Sequence, residues 1–520
     1  MNAQEHLSRD FLIGEVLSRN ARKYPDKLAF KEDNRSFTYS QYNFRVNKLT
    51  NALRELGIGH GDKVAFLLYN CIEIIDCYFA LAKLGAVAVP VNFRFVEPEI
   101  AYVVNNSDSV ALIFDSSFEK TIDAVKDRMP LVKNFITVSG PGELPYPLNY
   151  DRLLDAGSGL EPLVIVSDND PAHIMYTSGT TGKPKGAVLT HKSQLSNVTF
   201  CLIERSASHD DIYLCIPPLF HEAALAITLQ HVFMGSSVII HKQFDPMAVV
   251  KTVAEEKVTT LFMVPAMWNF LLQIPDLSKY NLSSVRLAIT GAAIMPLSLK
   301  KRVLEIFPGL QLYDCFGQTE MSPVTTMLKS QDTLRKPTSV GKPIVGTEVR
   351  VVDDKGFDVP VGEVGEVVYR GPGMLLEYYN NPKATGEAIV DGWFHSGDLV
   401  RMDEEGFVYV VDRKKDMVIS GGENVYPAEV EEVLYKHEKI LEAAVIGIPS
   451  EKWGEGVHAV VVLKPGQEMN QEEVINFCAA HLAGYKKPRS VEFTEALPRN
   501  ASGKVLKIRL REKFGTAIKY

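Results

Sequence analysis

YTSGTTGKPKGAVLTH, residues 176–191, gathers Thr177, Ser178, Thr180 and Thr181 around Gly179 and Gly182, then adds Lys183, Lys185 and Gly186. Glycine lets backbone N–H groups converge on an anion, and hydroxyls and ammonium groups add further donors, so the stretch suits phosphate. It is not a Walker loop. The G-x-x-x-x-G-K-[ST] spacing is absent, and AVLTH reads as a strand rather than a helix. A polar turn between two strands is the plain alternative.

Working outward, 520 residues are too many for one ordinary core, and at least two domains are expected. Hydrophobic residues make up 46% and charged residues 23%, a globular balance. The net charge of −8 gives no reason to expect a nucleic acid as partner. Cys71, Cys77, Cys201, Cys215, Cys315 and Cys478 form no C-x-x-C pair and no zinc spacing. They read as isolated thiols in a reducing compartment. MNAQEHLSRDF lacks the apolar core of a signal peptide, and Lys83 and Pro90 break the longest apolar run, so no integral membrane segment is expected. A cytoplasmic enzyme is the expectation.

The chain alternates strands and helices. Residues 40–56 read as a helix capped by Ser40 and stopped at Gly57, with Leu49, Ala52, Leu53 and Leu56 on one face. KVAFLL and AVAVPV read as strands around a helix that ends at Gly85. VIIHKQFDPMAVVKTVAEEKVTTLFMV repeats the pattern, which is that of α/β layers. From about residue 345 the texture is β-rich, with TEVRVVD, GEVVYRG and GFVYVVD. After DRKKD a small α+β unit begins, with Pro427 opening one helix and Asn470 with Glu473 forming a capping box for another. The expected fold is therefore α/β: a large N-terminal domain, 1–412, of layered sheets and helices with a β-rich subdomain, and a small C-terminal α+β domain, 413–520.

YTSGTTGKPKG, TGAA (290–293), YDCFGQTE (313–320), WFHSGD (393–398), DRKKDMVISGGENVYP (412–427) and PRNASGK (498–504) together resemble the adenylate-forming enzymes: acyl-CoA synthetases, luciferases and peptide-synthetase adenylation domains. The motifs stand in that family's order and span nearly the whole chain. The resemblance implies a mobile C-terminal domain and ATP, Mg²⁺ and coenzyme A as co-substrates. It implies that Thr177, Ser178, Gly179, Thr180, Thr181 and Lys185 hold phosphates and that Glu320 binds magnesium, a carboxylate oxygen suiting a hard cation. Thr319 then donates to the α-phosphate, Phe316 stacks on adenine where the family often has tyrosine, and Gly291, Ala292 and Asp314 complete the nucleotide site. Asp398 and Arg413 match ribose contacts, and Lys415 matches the hinge. Lys504 matches the adenylation lysine, which with Thr177 and Glu320 makes the catalytic set.

Likeness to the CoA ligases extends this to Gly421 and Gly422 lining a pantetheine tunnel, and to Trp453, Tyr485, Lys487 and Arg489 holding the CoA nucleotide. His221 in PPLFHEAAL takes an acyl-pocket position. The expected activity is a carboxylic acid:CoA ligase working through an acyl-adenylate, with a fatty, aryl or alicyclic acid. The alternatives are an adenylating enzyme that loads a carrier protein or oxidises its adenylate, and a non-catalytic nucleotide-binding protein. A homodimer is left open.

Overall fold

The computed structural model describes residues 11–138, 146–177, 184–414, 416–420, 423–450, 452–499 and 505–515. The chain divides into two compact units, Met1–Val349 with Tyr369–Phe394, and Arg350–Val368 with His395–Tyr520. The boundary expected at 412/413 falls inside the second of these.

Among the described residues, the first unit contains two large sheets. In the eight-stranded sheet, Lys63–Leu67 lies between Val87–Pro90 and Ser109–Asp115, parallel to both. In the nine-stranded sheet, Ile212–Cys215 lies between Ser237–Ile240 and Thr260–Phe262, again parallel to both. Strands buried on both faces need continuous apolar sequence, and Val87–Pro90 and Ser237–Ile240 are buried throughout. The helix Ile72–Leu84 is buried at every position, and its buried charges Glu73, Asp76 and Lys83 are paired with Arg35, Arg45 and Glu161. It stops at Gly85, whose φ of 70° is left-handed. The helix read over 40–56 is Tyr39–Glu55, and its cap is Thr38 rather than Ser40. Thr38 Oγ1 accepts from Gln41 N while Gln41 Oε1 accepts from Thr38 N, a reciprocal pair that Ser40 cannot make.

In each sheet the chain leaves its central strand for neighbours on both sides. A crevice opens at the carboxyl end of such a strand. The two segments that leave these strands meet at Asn70. Its Nδ2 donates to Ile216 O (3.2 Å), Pro217 O (3.0 Å) and His241 O (3.2 Å), and its Oδ1 accepts from Leu219 N (2.7 Å). Asn70 thereby holds the PPLFH segment of one sheet from the end of the other.

In the second unit, Val418–Ser420 lies between Glu423–Val425 and Gly454–Leu463, and the latter continues to Ile440–Ser450 and Ser490–Phe493. Pro427–Tyr435 and Gln471–His481 pack on this sheet, with Pro427 in the first turn and the Asn470–Glu473 box formed as expected. Among the described residues no helix is long and apolar enough to cross a membrane. The cysteines are all free.

Candidate active site

Pro171–Thr177 and Lys185–Thr190 pair antiparallel with Thr177 opposite Lys185, so AVLT is a strand as read. Ser178, Gly179, Thr180 and Thr181 lie outside the described residues; the two strands fix where that stretch begins and ends. Gly186 is required by packing, since a Cβ there would stand 2.6 Å from Ile174 Cγ2.

Glu320 sits in the short 3₁₀ turn Thr319–Met321, just past the strand Gln311–Gly317, and is 8% exposed. Its Oε1 accepts from Tyr378 Oη at 2.8 Å and, at the longer distance of 3.5 Å, from Thr177 Oγ1. Tyr378 belongs to the edge strand Glu377–Tyr378, opposite Ala187 on the strand Lys185–Thr190. Burial, reinforced by the Glu320 charge, pushes the Tyr378 phenol up, so it remains a donor. Lys185 Nζ lies 4.5 Å from the centre of the Tyr378 ring, a cation–π contact. Thr177, Lys185 and Glu320 are thus drawn together through Tyr378. Sequence reading missed this residue, because a tyrosine doublet in LEYYNN carries no periodic or spacing signal.

Beside this cluster, Gly291 ends the strand Leu287–Gly291 opposite Cys315, and Ala292 follows with φ 63°. A Cβ on Gly291 would lie 2.6 Å from Cys315 O, so glycine keeps this wall flat next to Phe316, which is half-exposed. Asp314 stands apart from the other expected nucleotide ligands. It is 5% exposed, and its carboxylate pairs with the buried Lys300 at 3.0 Å. Burial pushes its carboxyl pKa up, and the Lys300 ammonium opposes that shift. Its side chain is therefore tied to the protein interior.

In the second unit, Asp398 and Arg413 are directly opposed on paired strands, and Arg413 Nε meets Asp398 Oδ1 at 2.5 Å. The two expected ribose contacts therefore meet. Lys414 pairs with Asp354 (2.8 Å) and Glu366 (3.2 Å), and Glu366 also accepts from Gly397 N at 2.9 Å. Arg489 lies over the Trp453 ring at 4.8 Å, with Lys452 also near that ring at 5.0 Å. This is an aromatic plane with two cations, and Lys452 was not anticipated. Tyr485 instead packs on the core under Gln471–His481, and Lys487 is half-buried. Lys415, Gly421, Gly422 and Lys504 lie outside the described residues.

His221 caps the helix Glu222–Met234 at the end of the PPLF segment. Its ring lies 4.3 Å from Phe220, which meets Phe93 at 5.1 Å, and Phe93 meets Tyr69 at 4.9 Å. Burial, with Arg94 adding to it, pushes the His221 imidazole down to about 4, so it is neutral at neutral pH. Its Nε2 is buried with no hydrogen-bond partner among the described residues. The neighbouring Glu222 is 3% exposed and accepts from Gln194 Nε2 at 2.7 Å. Burial pushes its carboxyl up to about 8, so it is largely protonated at pH 7.

The profile of the AMP-binding enzyme family matches residues 17–379, and that of the family's C-terminal domain matches residues 429–504. The chain belongs to the AMP-binding enzyme family. It is 39% identical over 504 residues to a feruloyl-CoA synthase of an Amycolatopsis species, covering 97% of this chain and 99% of that protein. It is 38% identical over 511 residues to the long-chain-fatty-acid–CoA ligase FadD13 of Mycobacterium tuberculosis, again covering 97% and 99%. Its fold matches o-succinylbenzoate CoA synthetase of Bacillus subtilis with ATP and magnesium ion, at a TM-score of 0.84 and 30% identity over 95% of this chain and 99% of that one. The α/β fold with a large N-terminal and a small C-terminal part is that of this AMP-binding family.

Proposed function

We propose that the chain is an ATP-dependent carboxylic acid:CoA ligase that forms an acyl-adenylate, releases pyrophosphate and passes the acyl group to CoA with release of AMP. A free carboxylate resists a thiol because it is negative and would have to expel oxide; the mixed anhydride with AMP removes both obstacles. The observation that carries the reading is the meeting of Thr177 and Glu320, two motifs 143 residues apart, beside Lys185. Thr177 and Lys185 supply a hydroxyl and a cation for phosphate oxygens. Glu320 keeps Oε2 clear of the described protein donors, and among the described residues no set of three His, Cys, Asp or Glu gathers to cage a metal. That suits Mg²⁺, which takes one or two carboxylates plus substrate phosphates. Bound there, the ion would neutralise phosphate charge.

Phe316 and the flat Gly291–Ala292 wall are assigned to adenine, and the Asp398–Arg413 pair to the ribose. Lys504 is assigned to the α-phosphate during adenylation, Lys415 to the hinge between two poses of a C-terminal domain starting at 413, and Gly421 and Gly422 to the pantetheine arm. Trp453 and Arg489, with Lys452, are assigned to the CoA nucleotide. The acid is fatty or aryl. This is supported by an aryl-CoA and a fatty-acyl-CoA enzyme among the relatives and by PPLFHEAALAI and TGAAIMP, which contain no Arg or Lys for a second carboxylate. The free cysteines support the cytoplasm.

Acid-dependent ATP–pyrophosphate exchange tests the first half-reaction, and CoA-dependent AMP release the second. Exchange with hexanoate, a long-chain acid or a cinnamate, followed by AMP release only when CoA is present, is expected. Exchange without any CoA effect would transfer the reading to a carrier-protein loader.

A further inference from the structure

Glu366 is a buried carboxylate outside the reacting groups. It stands in the strand Val364–Arg370 and is 7% exposed. Three groups gather on it. Gly397 N donates to its Oε1 at 2.9 Å, Lys414 Nζ donates to its Oε2 at 3.2 Å, and His395 Nδ1 lies 3.3 Å from that same oxygen. Burial alone would push this carboxyl up, but the Gly397 N–H and the two basic side chains outweigh it and hold the group below its ordinary value. Glu366 is therefore ionised at neutral pH and acts as an acceptor only.

The groups it holds bracket the proposed ribose contacts. Gly397 directly precedes Asp398, and Lys414 directly follows Arg413. Gly397 has a φ of 70°, a left-handed step inside the strand Trp393–Met402, and its N–H goes to the Glu366 side chain rather than to a neighbouring strand. Lys414 N closes the other side of this step by donating to Gly397 O at 2.9 Å. Beside Glu366, Val367 O accepts from Ser396 Oγ at 2.5 Å, and Ser396 Oγ accepts from Asp398 N at 3.0 Å. Two successive residues, Glu366 and Val367, thus hold the two residues ahead of Asp398, and Glu366 also holds the residue after Arg413. Lys414 has a second partner in Asp354 at 2.8 Å, but that carboxylate is 88% exposed, so Glu366 is the buried anchor of the cluster.

We infer that Glu366 is a positioning residue for the nucleotide: through Gly397 and Lys414 it aims the Asp398 carboxylate and the Arg413 guanidinium at the two ribose hydroxyls. Asp398 can accept from both hydroxyls only while its plane and reach stay fixed, and a misplacement of about 1 Å can cost about 10²-fold in rate. A buried, ionised carboxylate that grips both flanks of the pair supplies that fixity. This inference rests on the acid:CoA ligase reading and on its assignment of the ribose.

The test compares ATP with 2′,3′-dideoxy-ATP in acid-dependent pyrophosphate exchange, using whichever of hexanoate, a long-chain acid or a cinnamate the wild type accepts. Wild type should favour ATP in kcat/KM by about tenfold or more, the worth of a hydrogen bond to a charged group. In Glu366→Ala that ratio should fall by about fivefold or more, with the rate on dideoxy-ATP held within about twofold, because the lost contact is one that the analogue never makes. Glu366→Gln restores an acceptor for the Gly397 N–H and should bring the ratio back to within about threefold of wild type. If Glu366→Ala does not fold, Lys414→Met carries the comparison, with a fall in the ratio of about threefold or more. An equal loss with both nucleotides in a folded variant would mean that Glu366 serves only the fold, and it overturns the inference. So does a ratio unchanged from wild type, or a glutamine variant no better than alanine. Equal use of the two nucleotides by wild type overturns the ribose assignment and this inference with it, while the ligase reading stands. Absence of exchange with every acid overturns the ligase reading itself.

Discussion

Replacing Glu222 by glutamine should remove a specific pH dependence from the stability of this protein. The folded chain holds the Glu222 carboxyl at about 8, against an ordinary value of 4.5. Burial is the cause, and the Gln194 amide, which donates to it, opposes that shift only in part. Because the folded value is raised, the native state keeps a proton that the unfolded chain has already released. The stabilisation is complete below about 4.5 and is lost as pH rises towards 8, with a slope of about 1.4 kcal/mol per pH unit between those limits. Over the whole window the loss amounts to about 3–5 kcal/mol. Glutamine has the same shape and no proton to lose, and every other titrating group is common to both proteins. The difference in unfolding free energy between wild type and Glu222→Gln should therefore move steadily in favour of the variant from pH 5.5 to 8, and level off above that. Urea unfolding at four or five pH values, followed through a probe in the first unit, measures this. A difference that stays flat across the window would show that Glu222 is solvated or already ionised in the folded protein.

Three further outcomes are expected. Lys504→Ala should slow adenylation by about 10²–10³ while largely sparing thioester formation from a supplied acyl-adenylate, and single-turnover rates of the two half-reactions would expose an equal loss in both. Tyr378→Phe removes a donor from Glu320; a hydrogen bond to a charged acceptor contributes about 1.5–3 kcal/mol, so the magnesium and ATP requirement of exchange should rise about tenfold or more with the fold intact. Arg489→Ala, which strips a cation from the Trp453 face, should raise KM for CoA and leave pyrophosphate exchange within about twofold, and a parallel loss in exchange would mean that the pair supports the fold instead.

Much of this protein is legible in its sequence because the relevant signals are local. Gly85 after an apolar helix and Asn470 three residues before Glu473 are short-range rules, and both appear as read. The strand Lys185–Thr190 follows from the apolar run AVLT, and it forms as read. The resemblance assigns Asp398 and Arg413 separately to the ribose; that they pair across two strands is added by the fold. What escapes the sequence depends on which surfaces the fold closes. Asp314 lies inside the motif YDCFGQTE, yet its carboxylate is paired with Lys300, and nothing in the sequence around either residue announces that meeting. Tyr378 reaches Glu320 only because a two-residue edge strand joins the hairpin sheet. The Ser40 cap failed because Thr38 starts the turn early enough to exchange hydrogen bonds with Gln41.

Asn70 has a practical consequence for anyone who wishes to give this enzyme a new acid. On the reading proposed above, the residues to exchange are those of the PPLFH segment and the helix after it, and they look like a self-contained cassette. They are not one. The segment is held by the Asn70 amide from the end of the opposite sheet, which grips carbonyls at Ile216, Pro217 and His241 and the N–H of Leu219, and by the Tyr78 hydroxyl on Leu219 O. A graft that alters the backbone path there must bring its own partner for position 70, or the transplanted segment will sag from its mounting and the borrowed specificity will be left behind in the donor.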